Sequence, residues 1–270
     1  MLFDYSRLDR IRQQRPLLHC VSNIVSANEC ANLALAVGAS PMMAQAPEEM
    51  EEITKISAAT VLNTGTPDRE RFQGCRICAQ TAVTIGQPMI LDPVGVGASR
   101  WRLEQITALL EEFRPTILRV NLGEAEALCR RGNREQGVDS TAYAAPEYRL
   151  AVAKELSGRY HTTVLLSGEE DLVVSTEQAL TVTGGSSRTK WVTGTGCMLS
   201  VLCGAFAAVE PEPLQAAALA AGFWKLCSER AEEKTAGRGT GAFRMELINA
   251  AGLLTAKDLS VSGNIRETRV

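Results

Sequence analysis

Short apolar runs rich in β-branched residues recur through the first two thirds of the chain, and longer amphipathic stretches separate them. The runs are Leu17 to Val21, Ala59 to Asn63, Met89 to Asp92, Thr116 to Val120 and Thr162 to Ser167. Short runs without strict alternation are typical of strands buried on both faces, and the stretches between them are long enough for helical crossovers. The pattern therefore predicts a parallel sheet covered by helices on both faces.

The pattern changes in the last third of the chain. Two short apolar runs, Leu172 to Ser175 and Ala179 to Thr183, are joined by only a few polar residues, which predicts a hairpin and an antiparallel edge to the sheet. Ala-rich segments with apolar residues about 3.6 positions apart then predict helices. These helices are Gly194 to Val209, Pro213 to Lys234 and Thr240 to Leu254. The last 15 residues are predicted to be a loosely held tail.

Length and charge narrow the class of protein. A chain of 270 residues without an evident linker predicts one α/β domain over residues 1–270. The net charge is -3 and the basic residues are scattered, which disfavours nucleic acid and anionic membranes as partners and favours a small molecule. The segment Met1 to Arg15 is amphipathic, and no apolar run approaches the roughly 20 residues that span a bilayer, so we expect a cytoplasmic protein.

Most of the reactive residue types have a structural interpretation. Eight cysteines are spread through the chain, which is typical of small buried hydrophobic residues. Cys75 and Cys78 form one Cys-x-x-Cys pair, but no second pair supplies the remaining ligands of a structural zinc site. His19 and His161 lie on or beside predicted strands without a catalytic partner in sequence, so both are interpreted as structural.

The segment Val192 to Met198 joins a polar loop to a helix of small residues. Gly194, Thr195, Gly196 and Cys197 lie at this junction, where unpaired backbone N–H groups and the helix dipole favour an anion. The segment predicts an anion hole, with an ordinary N-capped Gly-Thr loop as the alternative. Neither a Walker loop nor a complete Gly-x-Gly-x-x-Gly is present in the sequence.

Cys197 is the cysteine with the strongest chemical interpretation. It falls in the first turn of the predicted helix, where the dipole should stabilise a thiolate and lower the pKa of the thiol. A thiolate beside an anion hole is a candidate base or nucleophile. The alternative is a buried structural thiol.

Carboxylates follow two of the predicted parallel strands. Asp92 ends one strand before a Gly-rich turn, and Asn121 and Glu124 follow the next strand. Ligands of doubly wound folds bind at the carboxyl ends of strands, and two carboxylates with an amide suit Mg²⁺ that shares its remaining positions with water and phosphate. The alternative for each acid alone is a helix N-cap or a solvated loop. Met43 has a flexible thioether that suits a flat apolar substrate, and the alternative is the usual role of methionine in filling gaps of the core.

Several motifs in one order together resemble the hydroxyethylthiazole kinase family. They are His19 to Asn28, Gly38 to Ala44, Asn63 to Thr66, Leu91 to Gly95, Arg119 to Glu124 and Val192 to Cys197. The resemblance runs from about Pro16 to Ala208. It implies a ribokinase-like three-layer α/β/α fold and a homotrimer with active sites at subunit interfaces. It also implies that ATP, with Mg²⁺, phosphorylates the hydroxyl of 4-methyl-5-(2-hydroxyethyl)thiazole, a reaction of thiamin biosynthesis.

The resemblance also implies a role for each matching residue. The thiazole is expected near Asn23, Met43, Gly65, Thr66 and Gly194. ATP is expected near Arg119, Asn121 and Ser167, and Mg²⁺ near Asp92 and Glu124. Cys197 stands where related sugar and pyrimidine kinases place an aspartate base. Three positions depart from the family pattern, with Cys20 for the usual Asn, Val120 for the usual Gly and Ser167 for the usual Thr.

The sequence leaves other functions open. One alternative is a different ribokinase-like enzyme, such as a hydroxymethylpyrimidine or sugar kinase or a dehydratase of hydrated nicotinamide cofactors. The other is a non-catalytic relative that binds a thiazole without turning over ATP. ATP consumption measured against a panel of alcohols distinguishes the enzymes, and tight thiazole binding without ATP turnover in Mg²⁺ indicates the non-catalytic relative.

Overall fold

A central sheet of nine strands organises the computed structural model, which describes residues 3–129 and 145–268. The strands are β1 Leu17–Val21, β2 Ser40–Met42, β3 Ala59–Asn63, β4 Met89–Asp92, β5 Ile117–Asn121, β6 Thr163–Ser167, β7 Asp171–Val174, β8 Ala179–Val182 and β9 Ile265–Glu267. Their order across the sheet is β2-β1-β3-β4-β5-β6-β7-β8-β9. The five runs predicted as parallel strands are all present, within one residue of the predicted bounds.

The sheet is parallel from β2 to β6 and antiparallel from β6 to β9. The hairpin β7–β8 pairs Val174 with Ala179, as the short polar connection predicts. The predicted α/β fold with an antiparallel edge is therefore confirmed. Its parallel part sends the carboxyl ends of six strands to one edge of the sheet, which is where ligands of such folds bind.

Helices cover both faces of the sheet. They are α1 Arg7–Gln14, α2 Ala27–Val37, α3 Pro47–Ile56, α4 Arg69–Ile85, α5 Arg100–Glu112, α6 Leu122–Cys129, α7 Pro146–Tyr160, α8 Thr195–Ala207, α9 Pro213–Lys234, α10 Thr240–Leu253 and α11 Ala256–Ser262. Buried residues of α1, α2 and α8–α11 form one core cluster, and those of α4–α7 belong to a second. None of the helices within the described ranges combines the length and apolar character needed to cross a membrane.

Alternate residues of the central strands face the two core clusters. Val61 and Ile90 pack in the cluster with α8, whereas their neighbours Leu62 and Leu91 pack in the cluster with α4. Side chains of a strand point to opposite faces in turn, so a strand covered on both faces is apolar at consecutive positions. This burial explains why the parallel strands appear in the sequence as continuous apolar runs.

The prediction of a loose C-terminal tail is wrong. Residues Ala256–Ser262 form α11, which begins with a capping box between Thr255 and Asp258. Residues Ile265–Glu267 then form the edge strand β9, in which Ile265 pairs with Val182. The pairing depends on backbone hydrogen bonds to β8, a contact between distant parts of the chain that the local pattern does not reveal.

Candidate active site

The predicted anion hole lies where α8 begins, at the carboxyl edge of the sheet. Gly194 precedes the helix with φ of 81°, and a Cβ at this position would lie 2.8 Å from the Cβ of Ser26. Glycine is therefore required both by the backbone conformation and by the close approach. Met198 N donates to Gly194 O over 2.8 Å, so the N–H groups of the three preceding residues lack an intrahelical acceptor and are available to an anion.

Arg119 packs directly against this first turn. A Cβ added at Gly196 would lie 2.6 Å from both Nη1 and Nη2 of Arg119, so a side chain there would displace the guanidinium. Arg119 itself is buried on β5. Its Nη2 donates to Ser167 Oγ over 2.7 Å, and its Nη1 lies 3.5 Å from Asp92 Oδ1. The anion hole thus has a fixed positive charge beside it.

Asp92 is fully buried at the end of β4, and both of its carboxylate oxygens have partners. Oδ1 faces Arg119, and Oδ2 accepts from Asn63 Nδ2 at 3.0 Å and from Ser200 Oγ at 2.7 Å. Burial raises the pKa of Asp92, whereas Arg119, Ser200 and Asn63 oppose this shift by stabilising the carboxylate. Ser200 was not predicted from the sequence, although it lies one helical turn beyond Gly196.

Two asparagines connect Asp92 to Cys197. Asn63 Oδ1 accepts from Asn23 Nδ2 at 2.9 Å and from Gly65 N at 3.0 Å. Asn23 Nδ2 also lies 3.4 Å from Cys197 Sγ, to which it donates. A continuous polar path therefore runs from the thiol through neutral amides to the buried carboxylate.

Glu124 forms a second acidic position beside Arg119. Its Oε1 accepts from Gly95 N at 3.1 Å and its Oε2 from Asn121 N at 2.9 Å, while Asn121 Oδ1 accepts from Glu124 N at 2.8 Å. Burial raises the pKa of Glu124 to about 7, and the charge of Asp92 adds to this shift. The charge of Arg119 and the two backbone N–H groups oppose it.

The expectation that the pKa of Cys197 is lowered is wrong. Burial raises the pKa of this thiol, and the negative charge of Asp92 adds to the increase. Ser26, Arg119 and Asn63 favour the thiolate but do not reverse the shift. A helix N-terminus carries only about half a unit charge, which is insufficient here against the lost hydration of the sulfur.

The structure brings most of the predicted site residues together at one edge of the sheet. Asn23, Gly65, Gly194, Gly196 and Cys197 surround the asparagine path, and Asp92, Arg119, Asn121, Glu124 and Ser167 lie on its other side. Thr66 lies at the exposed rim with φ of 44°, and its Oγ1 is 3.4 Å from Ile24 N. Met43 follows β2 and packs half-buried against the core.

The acidic residues fit a metal that is held mainly by water and phosphate. Within residues 3–129 and 145–268, no group of three or more His, Cys, Asp or Glu side chains is arranged to hold a metal ion. Both oxygens of Asp92 and of Glu124 already accept hydrogen bonds from the protein. Such carboxylates suit water-mediated contact with Mg²⁺, which keeps several of its waters when it is bound with phosphates.

Solved structures with this architecture include kinases of small molecules. Pyridoxal kinase from Staphylococcus aureus, in complex with AMP-PCP and pyridoxal, superposes with a TM-score of 0.61 at 15% sequence identity. The match covers 79% of this chain and 87% of that chain and shows the fold alone. The sheet and its helices therefore give the protein a ribokinase-like fold.

Proteins that are more similar to this chain identify its family. The sequence model of the hydroxyethylthiazole kinase family matches residues 8–257, and this chain belongs to that family. Hydroxyethylthiazole kinase from Listeria monocytogenes is 35% identical over 99% of this chain and 98% of its own length. The structure of the hydroxyethylthiazole kinase protein from Pyrococcus horikoshii OT3 superposes with a TM-score of 0.88 at 33% identity, covering 98% of both chains.

Proposed function

We propose that this protein transfers the γ-phosphoryl group of ATP to the hydroxyl of 4-methyl-5-(2-hydroxyethyl)thiazole, a step of thiamin biosynthesis. Its family membership and relatives that carry this activity in their name support the proposal. The observation that carries it is the path from Cys197 through Asn23 and Asn63 to Asp92, which ends beside Arg119 and the anion hole. Acceptor, phosphoryl group and counter-charge would thus meet in one cleft.

The acceptor side of the cleft, as we name it, comprises the loops that follow β1, β2 and β3. We propose that Asn23, Met43, Gly65, Thr66 and, across the cleft, Gly194 bind the thiazole. The amides of Asn23 and Asn63 are neutral, and a half-buried thioether packs well against an aromatic ring. These groups suit an uncharged heterocycle.

The nucleotide side of the cleft comprises the ends of β5 and β6 and the loop that precedes α8. We propose that Arg119, Asn121 and Ser167 bind ATP there. The N–H groups of Thr195, Gly196 and Cys197 would stabilise the phosphoryl group during transfer, when its charge is spread over three oxygens. The close approach of the Arg119 guanidinium to Gly196 places a positive charge beside these donors.

Mg²⁺ bound to ATP would lie near Asp92 and Glu124 with water in between. When bound, it would neutralise phosphate charge, as it does in other phosphoryl-transfer enzymes. The carboxylates are held in place by Ser200, Asn63 and the backbone N–H groups around them.

Cys197 is proposed to orient the acceptor hydroxyl and to accept its proton late in the reaction. Burial and the charge of Asp92 raise the pKa of the thiol, so the base is the small fraction of Cys197 present as thiolate, which becomes the neutral thiol when it takes the hydroxyl proton. Phosphoryl transfer through a loose transition state depends mainly on positioning and charge stabilisation, so a base that is present only in a small fraction suffices.

We also propose that residues 1–270 form one domain, and that the protein is a cytoplasmic homotrimer with active sites at subunit interfaces. One sheet contains strands from β1 to β9, which supports a single domain. Ile24 and Val25 are 73% and 59% exposed directly after Asn23, and such apolar residues beside a site suit coverage by another subunit.

The test is an assay of purified protein with hydroxyethylthiazole, ATP and Mg²⁺, coupled to ADP release, with mass spectrometry of the product. We expect ADP release that depends on the thiazole and a product heavier by one phosphoryl group. The same assay with hydroxymethylpyrimidine, pyridoxal and ribose identifies any other acceptor. Thiazole binding by calorimetry without ADP release would contradict the kinase proposal and favour a non-catalytic binding protein.

A further inference from the structure

Arg71 is a buried cation on the first turn of α4. Only 9% of the residue is exposed, and within the described ranges no acidic side chain lies within ion-pair distance of its guanidinium. Its Nε is inaccessible to solvent and has no hydrogen-bond acceptor. Burying a charge with so few partners is costly, so stability does not explain this residue.

The remaining nitrogens of Arg71 reach two loops of the acceptor side. Nη1 donates to Ser22 O over 2.6 Å, and Nη2 lies 3.5 Å from Gln45 Oε1. Arg71 also belongs to the helix that follows Thr66, where its backbone N donates to the N-cap Asp68 over 2.7 Å. One guanidinium therefore connects the loop after β1, the loop after β2 and the helix after β3.

The bond to Ser22 acts directly on Asn23. The carbonyl of Ser22 and the amide nitrogen of Asn23 belong to the same peptide group, which is planar and rigid. Fixing the carbonyl oxygen therefore fixes the plane from which the Asn23 side chain extends. Asn23 Nδ2 then reaches both Asn63 and Cys197, at 2.9 Å and 3.4 Å.

We infer that Arg71 is a positioning residue that sets the affinity of the acceptor side for the thiazole, an inference that rests on the proposed function. It acts through the Ser22–Asn23 peptide group and the loop containing Gln45. The nucleotide side is held by other contacts, because Lys225 and Ser228 of α9 bind its loops. Loss of Arg71 should therefore weaken acceptor binding selectively.

The experiment compares Arg71→Gln and Arg71→Lys with the control Arg69→Gln, which removes an exposed arginine from the same helix. Arg71→Gln should raise the KM for hydroxyethylthiazole by about tenfold and leave the KM for ATP within about twofold of wild type. Lysine retains a donor for Ser22 O but not the fork that also reaches Gln45. Arg71→Lys should raise the thiazole KM by about threefold, and Arg69→Gln should change neither constant.

An equal rise in both KM values, or no rise in the thiazole KM of either variant, would overturn the inference. If circular dichroism shows that Arg71→Gln does not fold, the KM values of Arg71→Lys decide the test.

Hydrogen exchange of the unliganded protein tests the role of Arg71 without depending on the proposed kinase activity. In the Arg71 variants, faster exchange should be confined to residues 22–26 and 43–46. Equally faster exchange at residues 194–200 would overturn the inference even if the protein phosphorylated no thiazole.

Discussion

The two sides of the cleft are held in place by different kinds of interaction. On the acceptor side, neutral amides and the buried guanidinium of Arg71 connect the loops. On the nucleotide side, Lys225 of α9 pairs with Asp171 at 3.4 Å and donates to the carbonyls of Gly168 and Glu169 at 2.9 Å and 2.6 Å. The turn that follows Ser167 is thus fixed by a buried ion pair.

The same helix also holds the loop that leads to the anion hole. Glu229 Oε1 accepts from Gly185 N at 2.7 Å, and Ser228 Oγ accepts from Ser186 N at 3.0 Å. Both contacts involve backbone N–H groups of the segment that precedes α8. One helix therefore supports both loops of the nucleotide side.

The difference matches the charges of the two proposed ligands. A neutral heterocycle gains little from a charged pocket, and neutral amides cost less to desolvate than ions. A nucleotide carries several negative charges, so its side of the cleft must hold its cation and amide donors in place before the ligand binds. The comparison predicts that mutations on the two sides will separate into effects on thiazole KM and on ATP KM.

Gly196→Ala should cause the largest loss, because its Cβ would displace the guanidinium of Arg119 from beside the anion hole. We expect kcat/KM to fall by about 1,000-fold, the upper range for losing an oxyanion-type donor. The matched control is Gly158→Ala, since a Cβ on Gly158 meets no atom within 4 Å. That variant should keep full activity and gain up to about 1 kcal/mol of helix stability. Comparable steady-state kinetics for both variants would contradict the proposed contact.

Glu124→Gln tests whether the charged form of the buried Glu124 side chain destabilises the folded protein. The folded protein retains the Glu124 proton up to a pKa of about 7, whereas the ordinary value is 4.5. The folded state then binds more protons in this window, so wild-type stability falls as the pH rises from 4.5 to 7. The glutamine variant lacks this titration. The difference in unfolding free energy between the two proteins should therefore change by about 3 kcal/mol across the window.

Urea denaturation of both proteins in a metal chelator measures this difference. Below pH 4.5 both side chains are uncharged, so the remaining difference reports the lost acceptor for Asn121 N. Parallel stability curves across the window would contradict the raised pKa of Glu124.

Cys197→Ala should separate positioning from binding. The variant loses the group that orients the acceptor hydroxyl, so we expect kcat to fall by about 100-fold, a modest value for loss of a base. The Kd for hydroxyethylthiazole, measured by calorimetry, should stay within about threefold of wild type. Cys203→Ala is the control, because it removes a buried thiol from the same helix and should leave kcat unchanged. Unchanged turnover of Cys197→Ala would remove the residue from the mechanism.

Lys225→Met should show the smallest effect on the kinetic constants and the opposite selectivity to Arg71→Gln. Without its cation, Asp171 no longer holds the turn after Ser167 firmly, so the KM for ATP should rise by about tenfold with the thiazole KM unchanged. Breaking the buried pair should also cost about 3 to 5 kcal/mol of stability. Lys234→Met is the control, since Lys234 is itself exposed and its pair with Glu246 contributes about 1 kcal/mol. If Lys225→Met raised the KM values for ATP and for the thiazole equally, the two sides of the cleft would not act independently.

Local patterns were sufficient for the framework of the fold. The apolar runs that became β1, β3 and β4 were predicted with the observed bounds, because burial on both faces favours apolar residues at consecutive positions. The edge strand β9 was missed, because backbone pairing places little demand on side chains at an exposed edge. The same reason applies to β2, which has only three residues.

The candidate site was predictable only where its residues end strands or begin a helix. Asp92, Gly194 and Cys197 could be singled out because chain position alone directs them to the carboxyl edge of a parallel sheet. Ser200 and Arg71 carry no such signal. Both lie within helices, where a polar residue is usually exposed.

The sequence by itself determined the layers, the parallel sheet and the edge at which the cleft lies, because these follow from periodicity and from the direction of the strands. Only the tertiary structure decided the raised pKa values of Cys197 and Glu124 and the burial of Arg71. A pKa or a buried charge depends on desolvation and on neighbours that are distant along the chain, so it exists only once the loops of the two sides have come together.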